Sequence, residues 1–250
     1  MADKILYIEA PDGISGDMTL GALIDLGADA CSIKSELDKI IQGGYSLEPR
    51  PFERSGIHGI NLEVIVHEND EGHSHRHYSD IKTMIEGSGI SDRAKAYALA
   101  IFDVIAEAEA AVHKKAKDKV AFHEVGAMDS IIDIVGTAVA IDILGVTEFY
   151  CSAPRDGSGT ITCQHGLIPV PVPAVMKMAE GSGIPIVIES DVDTEMITPT
   201  GFGIIKGLGA KFKPRLGIIP EKTGYGFGKR DTGRFGAVRV TVGEIYEEER

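Results

Sequence analysis

The stretch KILYIEAPDGISGDMTLGALIDLG (residues 4–27) contains the first structural unit of the chain. Residues 4–10 form a short apolar run that stops at Pro11-Asp12-Gly13, as expected of a buried strand. Residues 17–27 carry apolar side chains at helical spacing and end at Gly27, a residue suited to closing a helix. The stretch therefore predicts a strand, a glycine-containing loop and a helix.

The rest of the chain continues this mixture of strands and helices. Ser130 with Asp133 fits a capping box, and Thr198 followed by Pro199 fits an N-cap with proline at the first helical position. Further helices are predicted over residues 32–42, 79–86, 91–113, 130–144, 171–180 and 198–207. Strands are predicted over residues 45–53, 57–67, 146–151, 157–163, 184–188, 215–223 and 235–242, with a glycine-rich loop over 224–233. We predict an α/β or α+β fold, a mixed sheet with helices packed on it.

Composition narrows the class of protein. The 250 residues include 25 Lys+Arg and 38 Asp+Glu, a formal charge of −13 that disfavours nucleic acid as a partner. The three cysteines are widely spaced and form no CxxC pair, which suits a reducing compartment. No signal peptide is visible, and the apolar runs are too short to span a bilayer. We expect a soluble cytoplasmic protein with no membrane partner.

The stretch EGHSHRHYSD (residues 71–80) places His73, His75 and His77 at every second position. In an extended segment alternate side chains project to one side, so three imidazoles could converge on one ion. Neutral imidazole suits nickel, copper and zinc. The alternative is a hydrophilic loop in which the histidines have no function, since histidine-rich tracts bind metal whether or not binding is their function.

A second group of ligand-type side chains lies in FHEVGAMDSIID (residues 122–133). His123 and Glu124 precede a glycine turn, and Asp129 and Asp133 lie one helical turn apart. Together they could build a metal site or an acid/base site. Helix capping is the alternative; it explains Asp133 but not the adjacent His123 and Glu124.

The loop PDGISGDM (residues 11–18) lies between the first strand and the first helix, where backbone N–H groups can bind a phosphate or carboxylate. Asp12 and Asp17 disfavour a bare anion but would help if a metal bridged the two. The loop is not GxxxxGK[ST], so an ordinary phosphate loop is excluded. The alternative is a turn with Asp17 or Ser15 as N-cap.

Weaker candidates lie in the second half of the chain. His165-Gly166 and Thr198–Gly201 could line a pocket, although capping alone explains Thr198. Cys151 and Cys163 lie in apolar strands, which favours inert core residues over ligands. Three cations around the glycine-rich loop could pair with a phosphate or be surface charges: Lys222, Lys229 and Arg230.

Five motifs together resemble the LarC family of nickel insertion proteins. They are DGISGDM, HSHRHYSDI, FHEVGAMDSIIDIVG, the GSGT strand with HGLIPVPVPA, and TPTGFGII, in that order from about residue 8 to 205. The resemblance implies a cytoplasmic enzyme of the metal chelatase (lyase) type. It would insert Ni²⁺ into pyridinium-3,5-bisthiocarboxylic acid mononucleotide, forming nickel–sulfur and nickel–carbon bonds of the lactate racemase cofactor, with hydrolysis of CTP.

The matching motifs also imply roles for residues. The expected catalytic residues are His123, Glu124 and Asp129. The expected substrate-binding residues are Asp12, Gly13, Ser15, Gly16, Asp17, His165, Thr198 and Thr200. The expected metal ligands are His73, His75, His77, His123 and Glu124.

One departure from the family pattern concerns length. Family members continue into a C-terminal half that binds CTP with Mn²⁺ or Mg²⁺, whereas this chain ends at EIYEEER. Residues 1–250 are therefore expected to be the N-terminal nickel insertion region, of one or two subdomains, with the C-terminal half as a separate chain or a missing segment. Self-association into a homo-oligomer is left open. Two other functions compete with insertion: a non-catalytic nickel storage or delivery protein, and a metal-dependent hydrolase.

Overall fold

The computed structural model describes residues 4–67, 76–120, 122, 127–163 and 166–246. The strands are β1 (Ile5–Glu9), β2 (Tyr45–Arg54), β3 (Ile57–Val66), β4 (Glu148–Cys151), β5 (Arg155–Asp156), β6 (Thr160–Cys163), β7 (Gly166–Pro169), β8 (Val187–Ile188), β9 (Lys211–Phe212), β10 (Ile218–Phe227) and β11 (Ala237–Ile245). The helices are α1 (Gly16–Leu26), α2 (Ala30–Leu37), α3 (Tyr78–Glu86), α4 (Asp92–His113), α5 (Met128–Leu144), α6 (Pro173–Ala179) and α7 (Pro199–Gly207).

The main sheet has seven strands in the order β2-β3-β10-β11-β1-β4-β9. β1 lies inside this sheet, antiparallel to β11 and parallel to β4, so the sheet is mixed. β5 pairs with β8 and β6 pairs with β7 in two small separate sheets. The predicted fold, a mixed sheet with helices packed on it, is confirmed.

Several predicted boundaries need correction. α2 ends at Leu37 rather than residue 42, because the N–H groups of Ile40 and Ile41 both bond to the carbonyl oxygen of Leu37 in a closing turn (2.9 Å each). The short strands β5, β7 and β9 are not predicted from the sequence. Residues 224–227, predicted as part of a glycine-rich loop, belong to β10.

Glycines in β10 allow α1 to pack directly on the sheet. A Cβ atom at Gly226 would lie 1.8 Å from the carbonyl oxygen of Met18, and one at Gly224 would lie 2.4 Å from that of Ala22. These positions therefore require glycine because the backbone of α1 occupies the space of a side chain. The close approach fixes α1, including its N-terminus, relative to the residues that follow β10.

The hydrophobic core is continuous from the sheet into the helices. Ile8 of β1, Leu20 of α1, Phe102 of α4 and Phe202 of α7 are fully buried members of one cluster. α1 packs on β3 and β10, α5 packs on α1, and α4 packs on α5, α6 and α7. Within the described ranges, no helix is both long enough and apolar enough to cross a bilayer.

Candidate functional site

A cleft of about 670 Å³ opens where the N-termini of three helices come together. Residues 15–17 of α1, Asp129 and Asp133 of α5, and residues 198–200 of α7 line it. Lys229 and Arg230, which follow β10, also line it. The N-terminus of a helix carries partial positive charge and free N–H groups, so three of them at one cleft favour a bound anion.

The start of α1 is held by its own cap and by the chain beside it. Ser15 is the N-cap, and its hydroxyl donates to the carboxylate of Asp17, which accepts from the N–H of Met18 (2.9 Å). Gly13 has φ +89°, and a Cβ atom there would lie 2.2 Å from the carbonyl oxygen of Met196. Only glycine fits this backbone conformation and close approach.

The start of α7 is joined to the same loop. Backbone hydrogen bonds run from Ile14 N to Met196 O (2.9 Å) and from Thr198 N to Ile14 O (3.0 Å). The Thr198 hydroxyl accepts from the N–H of Gly201 (3.1 Å), the cap that the sequence predicts. These bonds hold the N-termini of α1 and α7 side by side.

The buried Asp156 carboxylate stabilises this arrangement through hydrogen bonds, a role that the sequence did not indicate. Its Oδ1 accepts from the N–H groups of Gly157 (2.9 Å), Met196 (2.7 Å) and Ile197 (3.1 Å). Burial raises the pKa of Asp156, and the three N–H donors and the charge of Arg230 lower it in part. Asp156 therefore holds the segment that carries Glu195 and Thr198 into the cleft.

The start of α5 differs from its prediction. The helix begins at Met128, so the expected capping box of Ser130 with Asp133 is wrong. In the first turn of the helix it is the Asp129 carboxylate that accepts a backbone hydrogen bond, from the N–H of Ser130 (2.8 Å). Asp133 lies one turn further along and lines the cleft. Burial, then the carboxylates of Asp17 and Asp129, raise the pKa of Asp133 well above its ordinary value, and Lys229 lowers it in part.

Two cations lie at the edge of the cleft, each beside a carboxylate. Lys229 Nζ is 3.4 Å from Asp17 Oδ2, and Arg230 Nη1 is 3.6 Å from Glu195 Oε2. The Arg230 side chain also donates to the backbone oxygen of Glu195 (2.8 Å). Both cationic side chains are more than half exposed, which leaves them accessible to an incoming anion.

The cleft also has ligand-type side chains that the sequence did not predict to lie there. His113 Nε2 is 3.2 Å from Glu109 Oε2 at the end of α4, and both residues line the cleft. Cys163, expected in the core, is half-buried and lines the cleft as well. Cys151 matches its expectation: it is buried, and burial raises the pKa of its thiol to about 12.

Comparison with known proteins identifies the family. A family model described as nickel insertion protein matches residues 6–250. The chain belongs to the nickel insertion protein family. No solved structure matches it.

Curated relatives of this family are similar over nearly the whole chain. A pyridinium-3,5-bisthiocarboxylic acid mononucleotide nickel insertion protein of Acetivibrio thermocellus is 47% identical, covering 99% of this chain and 62% of the relative. The protein of the same name from Lactiplantibacillus plantarum is 47% identical, covering 96% and 62%. A putative nickel insertion protein of Citrifermentans bemidjiense is 44% identical, covering 98% and 62%. The chain thus spans about 62% of the length of these relatives.

The cleft of this nickel insertion family member contains many of the predicted site residues. Six of them line it: Ser15, Gly16, Asp17, Asp129, Thr198 and Thr200. Gly13 lies beneath, against Met196. Asp12 lines an adjoining cleft of about 220 Å³ and is held by the N–H of Gly236 (3.1 Å) and by Arg234 (3.8 Å).

The remaining predicted residues lie elsewhere or outside the described ranges. His77 is the exposed N-cap of α3, and its N–H donates to the carboxylate of Asp80 (3.1 Å). Five predicted residues fall outside the described ranges: His73, His75, His123, Glu124 and His165. Among the residues that the structure does describe, no group of three or more His, Cys, Asp or Glu side chains is placed to hold a metal ion. The histidine sites stay predictions.

Proposed function

We propose that this cleft binds pyridinium-3,5-bisthiocarboxylic acid mononucleotide and that nickel is inserted into the nucleotide there. The observation that carries the proposal is the convergence of three helix N-termini beside Lys229 and Arg230 in one cleft. A mononucleotide has one phosphate, the kind of anion that such an arrangement binds. Two relatives are named for this same nucleotide.

The phosphate would displace the carboxylates that now neutralise the two cations. Lys229 would then bind a phosphate oxygen in place of the Asp17 carboxylate, and Arg230 would bind one in place of the Glu195 carboxylate. N–H groups at the starts of α1 and α7 would complete the site. Position 16 has no room for a side chain, because a Cβ atom there would lie 2.7 Å from Asp133 and 2.8 Å from Thr200.

An acidic wall of the cleft, formed by the start of α5 and the end of α4, suits a divalent cation. Asp129 and Glu109 line it, and a negative wall raises the local concentration of Ni²⁺. We keep His123 and Glu124 as the proposed nickel ligands, with Asp129 as a third catalytic residue. Phe122, which directly precedes them, lines the cleft. In this proposal the histidine loop delivers nickel, and His165, which follows Cys163, contacts the nucleotide.

The chemistry follows from the positions of the two thiocarboxylates. Ring positions 3 and 5 flank carbon 4, so an ion held by one sulfur from each group lies against that carbon. The hydrogen on carbon 4 occupies this place and must leave as a proton for the ion to bond there. Insertion therefore needs nickel ligands with open positions for sulfur and a group that accepts a proton.

The complete enzyme is proposed to be a cytoplasmic chelatase-type lyase. Residues 1–250 would form its insertion region, and the further length present in the relatives would bind CTP with Mn²⁺ or Mg²⁺. The storage alternative explains the acidic wall but gives no function to the anion site. A metal-dependent hydrolase would need a metal centre with an open position for water, and it would not need a thiocarboxylate on its substrate.

The proposal is tested by product formation. The complete protein, supplied with the mononucleotide, Ni²⁺ and CTP with Mg²⁺, is expected to yield the nickelated nucleotide by mass spectrometry. Nickel binding without nucleotide binding would support storage instead. Hydrolysis of the nucleotide with no nickel in the product would support the hydrolase.

The histidine loop has its own test. Replacing His73 and His75 with alanine is expected to lower the number of Ni²⁺ ions bound per chain, measured by calorimetry. The melting temperature should not change, because the sequence predicts a hydrophilic loop here and such loops tolerate substitution. His77 is left in place because it caps α3. The matched control is His58→Ala, an imidazole 80% exposed on β3. Unchanged nickel stoichiometry in the double variant would show that the loop is only a solvated polar tract.

A further inference from the structure

Among the described residues, Asp133 has too few contacts for a structural carboxylate. Its Oδ1 is buried and has no hydrogen-bond partner among the described residues. Its neighbours in α5, Ile131, Ile132 and Ile134, are fully buried and apolar. A buried polar atom without a partner destabilises a folded protein, so its presence calls for a reason.

Asp156 provides an internal comparison. It is more deeply buried than Asp133, yet one of its oxygens accepts three backbone N–H groups that join β5 to the start of α7. That arrangement is structural support. Asp133 joins no such segments within the part of the chain that the structure describes, and, as the sixth residue of α5 counted from Met128, it caps no helix.

Asp133 lies at the wall of the cleft in which nickel insertion is proposed to take place. The side chain is half-buried and lines the cleft together with Asp129 of the same helix and Asp17 of α1. A Cβ atom on Gly16 would lie 2.7 Å from Asp133 Oδ2. Because Gly16 has no side chain, the Asp133 carboxylate can lie against the N-terminus of α1. The proposed phosphate site at the N-terminus of α1 is therefore next to Asp133.

We propose that Asp133 is a catalytic residue that accepts the proton lost by the ring carbon when nickel bonds to it. This inference rests on the proposed function. The carbon–hydrogen bond breaks, its electron pair forms the nickel–carbon bond, and the proton passes to a carboxylate oxygen of Asp133. Nickel stays Ni²⁺ throughout, so no oxidant or reductant is needed.

The groups around Asp133 suit it to this step. Burial, followed by the negative charges of Asp17 and Asp129, raises the pKa of Asp133, and the positive charge of Lys229 lowers it in part. The result is a raised pKa, which makes Asp133 a stronger base than an ordinary aspartate once it is ionised. Entry of Ni²⁺ and of the cationic ring favours that ionised form.

The experiment compares Asp133→Asn, Asp133→Glu and Glu124→Gln in the complete protein. Asp133→Asn is expected to bind the mononucleotide and Ni²⁺ within about threefold of the parent and to form nickelated product about 10²-fold more slowly, or worse. Asp133→Glu keeps a basic group and should recover part of the rate. Glu124→Gln, which removes a proposed ligand, should instead weaken nickel binding.

Folding is checked by thermal unfolding. Above a pH of about 4 an unfolded Asp133 is ionised, whereas the folded protein with a raised pKa keeps the proton, so the wild-type residue lowers stability as pH rises through that window. Asp133→Asn should therefore melt at the same temperature or higher at pH 7.

The outcomes separate the inference from the function on which it rests. Near-normal product formation by Asp133→Asn would overturn the inference and leave the proposed function intact. Loss of nickel or nucleotide binding in a folded Asp133→Asn protein would also overturn it, because Asp133 would then be a binding residue. Absence of product from the wild-type protein would overturn the proposed function itself.

Discussion

A Gly226→Val protein is expected to lose about 3 kcal/mol or more of its free energy of unfolding, or to fail to fold. The new Cβ atom would lie 1.8 Å from the carbonyl oxygen of Met18, a contact with backbone that no rotamer change can relieve. Helix α1 would have to move away from β10, and its packing on the sheet would be lost. Such overpacking of a core costs about 1–3 kcal/mol and occasionally more.

Urea unfolding measures this effect directly. Gly89→Val is the matched control, because Gly89 is exposed and a Cβ atom there would make only ordinary contacts, the nearest 3.6 Å from Lys39. The control should unfold within about 0.5 kcal/mol of the parent protein. If Gly226→Val were as stable as the control, α1 would not be packed on β10 as described.

The second large effect is expected on binding. Replacing Lys229 and Arg230 together with alanine should weaken binding of the mononucleotide by about 10²-fold. Each charge-assisted hydrogen bond to a phosphate contributes about 1.5 kcal/mol at the lower end of its range, and both would be lost. Nickel binding should stay the same or strengthen slightly, since the change removes positive charge near the acidic wall. Calorimetric titration with each ligand separates the two effects.

A matched control distinguishes a local contact from a change in overall charge. Lys177 lies on α6 beside Glu180 and is about as exposed as Lys229, but it does not line the cleft. Lys177→Ala should leave nucleotide affinity unchanged. Equal affinity for the parent and the Lys229/Arg230 double variant would place the phosphate away from this edge of the cleft.

The sequence predicts the strand–loop–helix unit of residues 4–27 because its signals are local. Apolar runs, the turn at Pro11–Gly13 and the C-cap at Gly27 each depend on neighbours within a few residues. The caps at Ser91 and Thr198 are local in the same sense, and both are confirmed. The order of strands in the sheet depends on distant pairings and could not be predicted in this way.

Other features escaped prediction because they depend on contacts between distant segments. Gly224 and Gly226 resemble a flexible loop in the sequence, but they allow a helix about 200 residues earlier in the chain to pack on β10. Asp156 accepts hydrogen bonds from three N–H groups, one on the next residue and two on residues about 40 positions further along the chain. Neither pattern has a local signal.

Asp133 could be explained from the sequence alone only as a cap, which hid its position in the cleft. The helix begins two residues earlier than the expected capping box, so Asp133 moves from the first turn to the second. An aspartate within the apolar run IIDIVG is the signal that could have pointed to it, because such a residue becomes buried when the helix packs. His123 and Glu124 lie outside the described residues and stay predictions.

The central claim is that the nucleotide lies in this cleft with its phosphate at the helix N-termini. A crystal structure of the protein with the bound mononucleotide tests it most directly. We expect the phosphate oxygens about 2.7–3.2 Å from Lys229, Arg230 and N–H groups at the start of α1 or α7, with the pyridinium ring beside Asp133. A fully occupied nucleotide whose phosphate contacts none of these groups would contradict the claim.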